Sequence, residues 1–304
     1  MHKELEGLQI NPVHEKGVTS VSKFHRRPHT YVSQVDLKVT DIERSLAFYQ
    51  NVIGLKVQGH TAKKAILSAD GKTPLLTLEQ PENVIPKQRR TTGLYHFALL
   101  LPSRQDLGKI LQHFMDTRYP LQGASNHIFS EALYLADPDG NGIEIYADRP
   151  PATWPWKNGL LVAASEPLDV ESVLAETNGG EWNGLPTGTV MGHLHLHGSE
   201  LKHIKEFYQE GLGFDIVINI PDQALFFSTG RYHHHIAVNV WNGIGAPTPP
   251  ENSVGLMKYS LVFPNEEARE RVRIKLNRLG YDVQRGNGGF QTKDPSGNRI
   301  QLRL

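Results

Sequence analysis

The chain contains no cysteine in its 304 residues. Disulfides, thiolate nucleophiles, iron–sulfur clusters and cysteine-ligated zinc sites are therefore excluded. A metal site in this chain has to use imidazole and carboxylate groups, a ligand set that suits iron, manganese, zinc, nickel or copper. The lack of disulfides fits the reducing cytoplasm, which is the location that we expect.

An excess of charge of either sign is also missing, since 32 lysine and arginine residues balance 32 aspartate and glutamate residues. The chain therefore has no strong field that favours nucleic acid or an anionic membrane as a partner. Its apolar runs fall short of the ~18 residues that a membrane-spanning helix needs. Residues 1–30 are too polar for a secretory signal. We expect a small-molecule partner, and the sequence leaves a homo-oligomer open.

Histidine, by contrast, is abundant, with 15 copies, and a unit of sequence recurs four times. Residues 35–55 and 194–214 match at a constant offset, each as an alternating strand followed by an amphipathic helix and a glycine. Two further segments begin with Gly-Leu at 93 and 255 and include an Asp-Pro-x-Gly-Asn turn, at 137–141 and 294–298. The pattern predicts βαβββ units at roughly 31–82, 93–147, 190–241 and 254–304.

These repeats predict an α+β fold built from four βαβββ units. Along the chain we expect an N-terminal arm over 1–30 and a first domain over 31–147, which contains units one and two. A linker over 148–188, with one short helix near 168–176, leads to a second domain over 189–304, which contains units three and four.

The four-unit pattern resembles the vicinal oxygen chelate superfamily, in which two such units form one cupped sheet that holds a metal. The resemblance therefore implies that the four units form two cupped mixed sheets. The resemblance implies ligands on the first and last strands of the units. The good donors at those positions are His96, His193 and Glu144, whereas Lys258 and Gln301 are poor ones. Two imidazoles and one carboxylate form the facial triad of non-haem iron, which leaves positions open for a diol and O2.

These three residues belong to units two and three, so the middle units would share one cup and units one and four the other. Sequential pairing would instead assemble Gln34, Glu79, His96 and Glu144, which resembles the metal site of glyoxalase I. Two alternatives therefore stay open beside a dioxygenase. One is a glyoxalase-like isomerase with zinc or nickel, and the other is a metal-free ligand-binding protein of the same superfamily.

Residues 127–144 resemble the extradiol dioxygenase signature, which has a His, a short spacer, an apolar-Tyr pair, an Asp-Pro-x-Gly turn and a Glu ligand. One departure is Ser125, where the signature prefers Gly, Asn, Thr or an aliphatic residue. The resemblance implies an enzyme of the catechol 2,3-dioxygenase type, active in aromatic hydrocarbon catabolism. Such an enzyme uses Fe(II), with Mn(II) as an option, to cleave catechol or a substituted catechol with O2 to a 2-hydroxymuconic semialdehyde.

The resemblance also implies roles for side chains around the metal. Tyr134 would hydrogen-bond the substrate oxygen that binds as a monoanion, and His127 would line the same pocket. Alignment of the stretch after the triple histidine selects His234 as the acid–base catalyst. His235 is the second choice and a candidate substrate contact, because a one-residue register error exchanges the two. His195 shares a strand face with the ligand two residues earlier and is expected to contact substrate.

Overall fold

The computed structural model describes residues 22–286 and 288–304, and its elements follow the predicted repeat. Unit one contains β1 (Tyr31–Lys38), α1 (Ile42–Asn51), β2 (Lys56–Thr61), β3 (Lys64–Ser68) and β4 (Leu76–Glu79). Unit two contains β5 (Gly93–Leu101), α2 (Arg104–Asp116), β6 (Gly123–Asn126), β7 (Ser130–Ala136) and β8 (Gly142–Asp148). The next segment contains a 3-10 turn (Pro151–Thr153), β9 (Trp156–Lys157), β10 (Leu160–Leu161), β11 (Glu166–Pro167) and α3 (Val170–Ala175).

The second half of the chain repeats this order with one irregular helix. Unit three contains β12 (Val190–His197), α4 (Leu201–Lys205), a π-helical turn (Glu206–Gly211), β13 (Asp215–Ile220), β14 (Ala224–Ser228) and β15 (Ile236–Asn239). Unit four contains β16 (Gly255–Val262), α5 (Glu266–Arg278), β17 (Val283–Gly286), β18 (Gly289–Lys293) and β19 (Arg299–Arg303). Side chains that favour helix N-termini cap α1, α2 and α5: Asp41, Ser103 and Asn265 each accept a hydrogen bond from a backbone N–H of the first turn.

Two mixed sheets form the framework of the molecule. The nine-stranded sheet has the order β11-β6-β7-β8-β5-β12-β15-β14-β13, and the eight-stranded sheet has the order β17-β18-β19-β16-β1-β4-β3-β2. Units two and three thus share one sheet, and units one and four share the other, which confirms the swapped pairing. The antiparallel pairs β5–β12 and β1–β16 make the two joins. The expected domains over 31–147 and 189–304 are therefore segments of sequence and not separate sheets.

The two Asp-Pro-x-Gly-Asn turns hold together the units of each half. The Asp137 carboxylate accepts hydrogen bonds from two backbone N–H groups of its own turn and, at 2.9 Å, from the hydroxyl of Tyr49 in α1. Asp294 does the same in its own turn and accepts from the hydroxyl of Tyr208, also at 2.9 Å. One hydrophobic cluster contains buried side chains from both sheets. The sheets join units from different halves, and these hydrogen bonds join units within a half.

The segments outside the units pack against the nine-stranded sheet. The predicted short helix near 168–176 is confirmed as α3, and β11 pairs with β6, so the expected linker also supplies an edge strand. Of the predicted arm, residues 1–21 lie outside the described residues. Phe24 is buried, with its ring centroid 4.9 Å from that of Tyr232 and 5.5 Å from that of Trp154. Within the described ranges no helix is both long and apolar enough to cross a bilayer.

Candidate metal centre and its cup

Three neighbouring strands bring the expected ligands together. In the strand registers, Ala98 on β5 lies opposite Glu144 on β8 and opposite His193 on β12, and His96 precedes Ala98 by two residues on the same face. The Nε2 atoms of His96 and His193 lie 3.0 and 3.1 Å from Oε2 of Glu144. Among the residues that the structure describes, these three form the one group of three or more His, Asp or Glu residues whose ligand atoms lie within 4.8 Å of one another.

One unpaired ligand atom of this group fits a bound cation. His96 Nε2 is buried and makes no hydrogen bond of acceptable geometry, although the carboxylate oxygen is only 3.0 Å away. Buried polar atoms without a partner are rare and call for an explanation such as an ion. An ion between the three ligand atoms gives that nitrogen a partner, so the two imidazoles and the carboxylate fit a divalent metal such as iron.

Electrostatics favour the protonation states that a metal needs. Burial disfavours ionisation of Glu144, but the neighbouring His193 and His96 outweigh it and hold the pKa of this carboxyl well below its usual value. Burial lowers the pKa of His193 from 6.5 to about 4. At neutral pH the site therefore offers an anionic carboxylate and a neutral imidazole at His193, as metal ligation requires.

A cavity of about 570 Å³ opens above these ligands, and we call it the cup. Seven of the predicted site residues line it: His96, His193, Glu144, Tyr134, His127, His195 and His234. Among the apolar residues that line it are Phe129, Leu135, Ile143, Ile218, Ile220, Phe226 and Trp241. The cup thus combines one metal-binding corner with a largely apolar wall.

Tyr134 and His127 meet inside the cup. The β7–β8 register places Tyr134 opposite Glu144, and its hydroxyl lies 2.7 Å from Nε2 of His127. Nδ1 of His127 lies 2.9 Å from the carbonyl oxygen of Ala164, which can only accept, so Nδ1 is the donor of that bond. Burial, together with the charge of Glu144, raises the pKa of Tyr134 well above its usual value, so its hydroxyl stays protonated.

The three consecutive histidines point in different directions. His234 lines the cup, with its ring centroid 4.0 Å from that of His193. His235 donates from Nε2 to the carbonyl of Phe24 and does not line the cup, so the expected substrate contact has no basis in this arrangement. The triplet lies in a loop before β15, so these directions come from loop geometry and not from the strand alternation expected.

His195 lines the cup as expected, and its partners position it there. Its ring centroid lies 5.0 Å from that of His96, and Asn239 donates a hydrogen bond to its Nε2 at 2.9 Å. Sequence reasoning missed Asp148 and His233, which hydrogen-bond each other at 2.8 Å next to the cup. No sequence motif connects these two residues, because 85 positions separate them along the chain.

Comparison with known proteins gives the family. Residues 31–145 match the Glyoxalase/Bleomycin resistance protein/Dioxygenase superfamily. The chain is also 45% identical over 269 residues to a protein named catechol-2,3-dioxygenase from Bacillus subtilis (strain 168), covering 88% of this chain and 94% of that protein. The chain belongs to this superfamily. Its relative of 45% identity carries the dioxygenase name, whereas the superfamily as a whole includes glyoxalases.

Solved structures share the fold of this chain at low sequence identity. Glyoxalase I from Zea mays superposes with a TM-score of 0.56 at 15% identity, covering 90% of this chain and 92% of that one. The cppA protein from Streptococcus pneumoniae TIGR4 gives a TM-score of 0.53 at 14% identity, covering 90% and 99%. These likenesses establish a shared architecture and carry no information on the reaction.

The glyoxalase-like ligand set does not assemble in this member of the superfamily. Gln34 and Glu79 lie on β1 and β4 of the eight-stranded sheet, whereas His96 and Glu144 lie on the nine-stranded sheet. The amide of Gln34 donates to Asp36 at 2.7 Å within its own sheet. The four ligands expected under sequential pairing of the units are therefore divided between two sheets.

Proposed function

We propose that this chain is an extradiol dioxygenase that uses Fe(II) to cleave a catechol with O2, giving a 2-hydroxymuconic semialdehyde. The observation that carries the proposal is the convergence of His96, His193 and Glu144 beneath an apolar cup. Identity of 45% to a protein named catechol-2,3-dioxygenase supports it. Mn(II) accepts the same ligand set and is the alternative metal.

The ligand residues would hold the ion through His96 Nε2, His193 Nε2 and Glu144 Oε2, the atoms that converge. When bound, the ion supplies Lewis acidity toward the two catechol oxygens and redox chemistry toward O2. The buried setting excludes water and strengthens each electrostatic contact with substrate.

The remaining polar residues of the cup would handle the protons. Tyr134, held by His127, is placed to hydrogen-bond one catechol oxygen. His234 lies beside His193 and would accept the proton that the catechol loses on binding, then return a proton to oxygen later in turnover. His195 would contact substrate from the side of Trp241, whose ring centroid is 5.4 Å away.

The walls of the cup support an uncharged substrate. Its lining contains aromatic and branched aliphatic side chains, including Phe129, Ile218 and Phe226, and none of the described lining residues is a lysine or arginine. A carboxylate on the ring would be buried without a counter-charge, which is costly. We therefore propose as substrate a catechol that is unsubstituted or carries an apolar group such as an alkyl chain.

The test is reconstitution of the purified chain with Fe(II) under anaerobic conditions, followed by a catechol and air. We expect consumption of one O2 per ring cleaved and a yellow ring-fission product. Catechol and 4-methylcatechol should give a higher kcat/KM than 3,4-dihydroxybenzoate. If the chain retains no metal, the metal-free binding protein becomes the better interpretation. Equal turnover of the carboxylated compound would contradict the substrate class alone.

Substitution of the ligands tests the assignment of the centre. We expect Glu144→Gln and His96→Ala to lose both bound iron and turnover, because each removes one of three ligands. His203→Ala is the matched control, since His203 is an exposed histidine paired with Glu200. Iron content by plasma emission and the rate of yellow product provide the two measurements. A ligand variant that still forms product at near the wild-type rate would show the assignment to be wrong.

A further inference from the structure

A row of three hydrogen-bonded side chains leads away from the cup. His234 lines the cup, and its Nδ1 lies 2.8 Å from Nδ1 of His233. The other ring nitrogen of His233, Nε2, lies 2.8 Å from Oδ1 of Asp148. The His233 side chain is fully buried, whereas that of Asp148 is 17% exposed.

Asp148 has no contact with the space that a substrate would occupy. It lines a separate cavity of about 420 Å³, together with residues such as Arg149 and Val190, and none of its lining residues also lines the cup. His233 is stacked on Phe129 at 4.7 Å between ring centroids and is not part of the lining of the cup either. Neither residue therefore lies where it could contact substrate, and the hydrogen bonds of this row connect them to the cup through His234.

The carboxylate determines where the hydrogens of this row lie. An ionised carboxylate only accepts, so Nε2 of His233 carries the hydrogen of their bond. A neutral His233 then has its lone pair on Nδ1, and the hydrogen between the two Nδ1 atoms belongs to His234. His234 is left with its lone pair on Nε2, the ring nitrogen that the row leaves available to a substrate proton.

We infer that Asp148 and His233 are positioning residues that fix the tautomer and ring orientation of His234 as the acid–base group. This inference rests on the proposed function. In the Ser-His-Asp triad a buried carboxylate likewise holds a catalytic imidazole in one tautomer, and loss of that carboxylate lowers kcat strongly. Here a second imidazole, His233, is interposed between the carboxylate and the working histidine.

A hydroxyl on the same carboxylate oxygen provides the matched control. Tyr232 donates to Oδ1 of Asp148 at 3.3 Å, and its oxygen lies 2.6 Å from that of Tyr146. Tyr232→Phe removes one hydrogen bond to Asp148 but leaves the row to His234 intact. Asp148→Asn removes the charge and adds an amide donor that can face His233 in place of the acceptor. His233→Phe removes the middle of the row, and Asp148→Glu keeps the acceptor charge.

The decisive experiment compares these four variants in iron content, kcat and KM. We expect Asp148→Asn and His233→Phe to retain iron and a KM near that of wild type while kcat falls by on the order of 10². Tyr232→Phe should keep most of kcat, and Asp148→Glu should recover part of it. An unchanged kcat in the first two variants, or an equal fall in Tyr232→Phe, would overturn the inference.

A second measurement does not depend on turnover. In the metal-free full chain with ¹⁵N-labelled histidine, long-range ¹H–¹⁵N correlation spectra report which ring nitrogen carries the hydrogen. We expect His234 to be the Nδ1–H tautomer in wild type and a mixture in Asp148→Asn. The same tautomer in both proteins would overturn the inference. Absence of ring cleavage in wild type would contradict the proposed function instead, so the two failures are distinguishable.

Discussion

At the scale of single residues, the site depends on one small side chain at its centre. Ala98 is fully buried and lies opposite both Glu144 and His193, between strands that carry all three ligands. We expect a larger side chain at this position to crowd the neighbouring strands and displace the ligands that they carry. The sequence identified the ligands by chemical type, but the importance of Ala98 follows only from the register of three strands.

His234 is the proposed acid–base group, so its substitution tests the proposed chemistry directly. We expect His234→Phe to keep its iron, because His96, His193 and Glu144 are intact, and to lose roughly 10²–10⁴ of kcat, as for the loss of an acid–base group. Single-turnover formation of yellow product after mixing with O2 measures the effect. Full activity in this variant would move the acid–base role to His127, the cup histidine whose ring hydrogen-bonds the hydroxyl of Tyr134.

His25 makes stability depend on pH. Burial is the main cause that lowers its pKa from 6.5 to about 4, and its Nε2 hydrogen-bonds the carbonyl of Gly192. As pH falls through the window from 6.5 to about 4, the unfolded chain binds a proton at this residue before the folded chain does. Folding stability is therefore lost on acidification through this window.

His25→Gln tests this dependence. Between pH 7 and pH 4.5, we expect the metal-free wild type to lose about 2 kcal/mol more unfolding free energy than the variant does. Urea titrations at both pH values measure the difference, and the other buried histidines affect both proteins alike. Parallel losses in the two proteins would rule out His25 as a source of the acid sensitivity.

At the scale of elements, the sequence predicted the helices, strands and turns whose residues show a clear periodicity or a turn motif. The strands of each unit, α1, α2 and α5, and the two turns at 137–141 and 294–298 follow from local patterns. The π-helical turn Glu206–Gly211 does not, because a regular helix was expected there and the wider turn is set by packing, with both Phe207 and Tyr208 buried. The irregular β5–β12 register beside His193 is likewise a tertiary property.

The close approach of β8 to β5 positions the centre. A Cβ on Gly142, the first residue of β8, would lie 2.2 Å from the backbone oxygen of Tyr95 and 3.0 Å from Cβ of His96. We expect Gly142→Ala to cost about 1–3 kcal/mol by overpacking and to weaken iron binding by displacing His96. Gly59→Ala is the control, since a Cβ there would meet no atom within 4 Å. Equal iron affinity in both variants would contradict this account.

At the scale of the whole molecule, the two large sheets have similar strand arrangements but different side chains at the positions where metal ligands are expected. Where the nine-stranded sheet carries ligands, the eight-stranded sheet carries a lysine paired with a carboxylate, Lys258 Nζ lying 3.3 Å from Oδ2 of Asp36. The amide of Gln34 donates to the same carboxylate. The sequence indicated this difference because lysine and glutamine are poor metal ligands. The contacts that take the place of a metal depend on the pairing of β1 with β16, which the sequence does not give.

The metal content of the chain should reflect this asymmetry. We expect one tightly bound iron per chain and not two, because an ammonium group and an amide occupy the eight-stranded sheet where imidazoles stand in the other. Plasma emission spectroscopy after dialysis, scaled to protein concentration by amino-acid analysis, measures the ratio. Two equivalents that both survive dialysis would show that a second site had been overlooked.

The swapped pairing of units has a consequence for a chain that has been cut. The segment near residues 178–181 is exposed and lies between units two and three. A single cleavage there gives two fragments, of which the first brings His96 and Glu144 and the second brings His193. Because the eight-stranded and nine-stranded sheets each contain strands from both fragments, the nicked protein should stay associated until it is denatured. Neither fragment by itself contains a complete set of ligands, so the two would regain iron only by recombining.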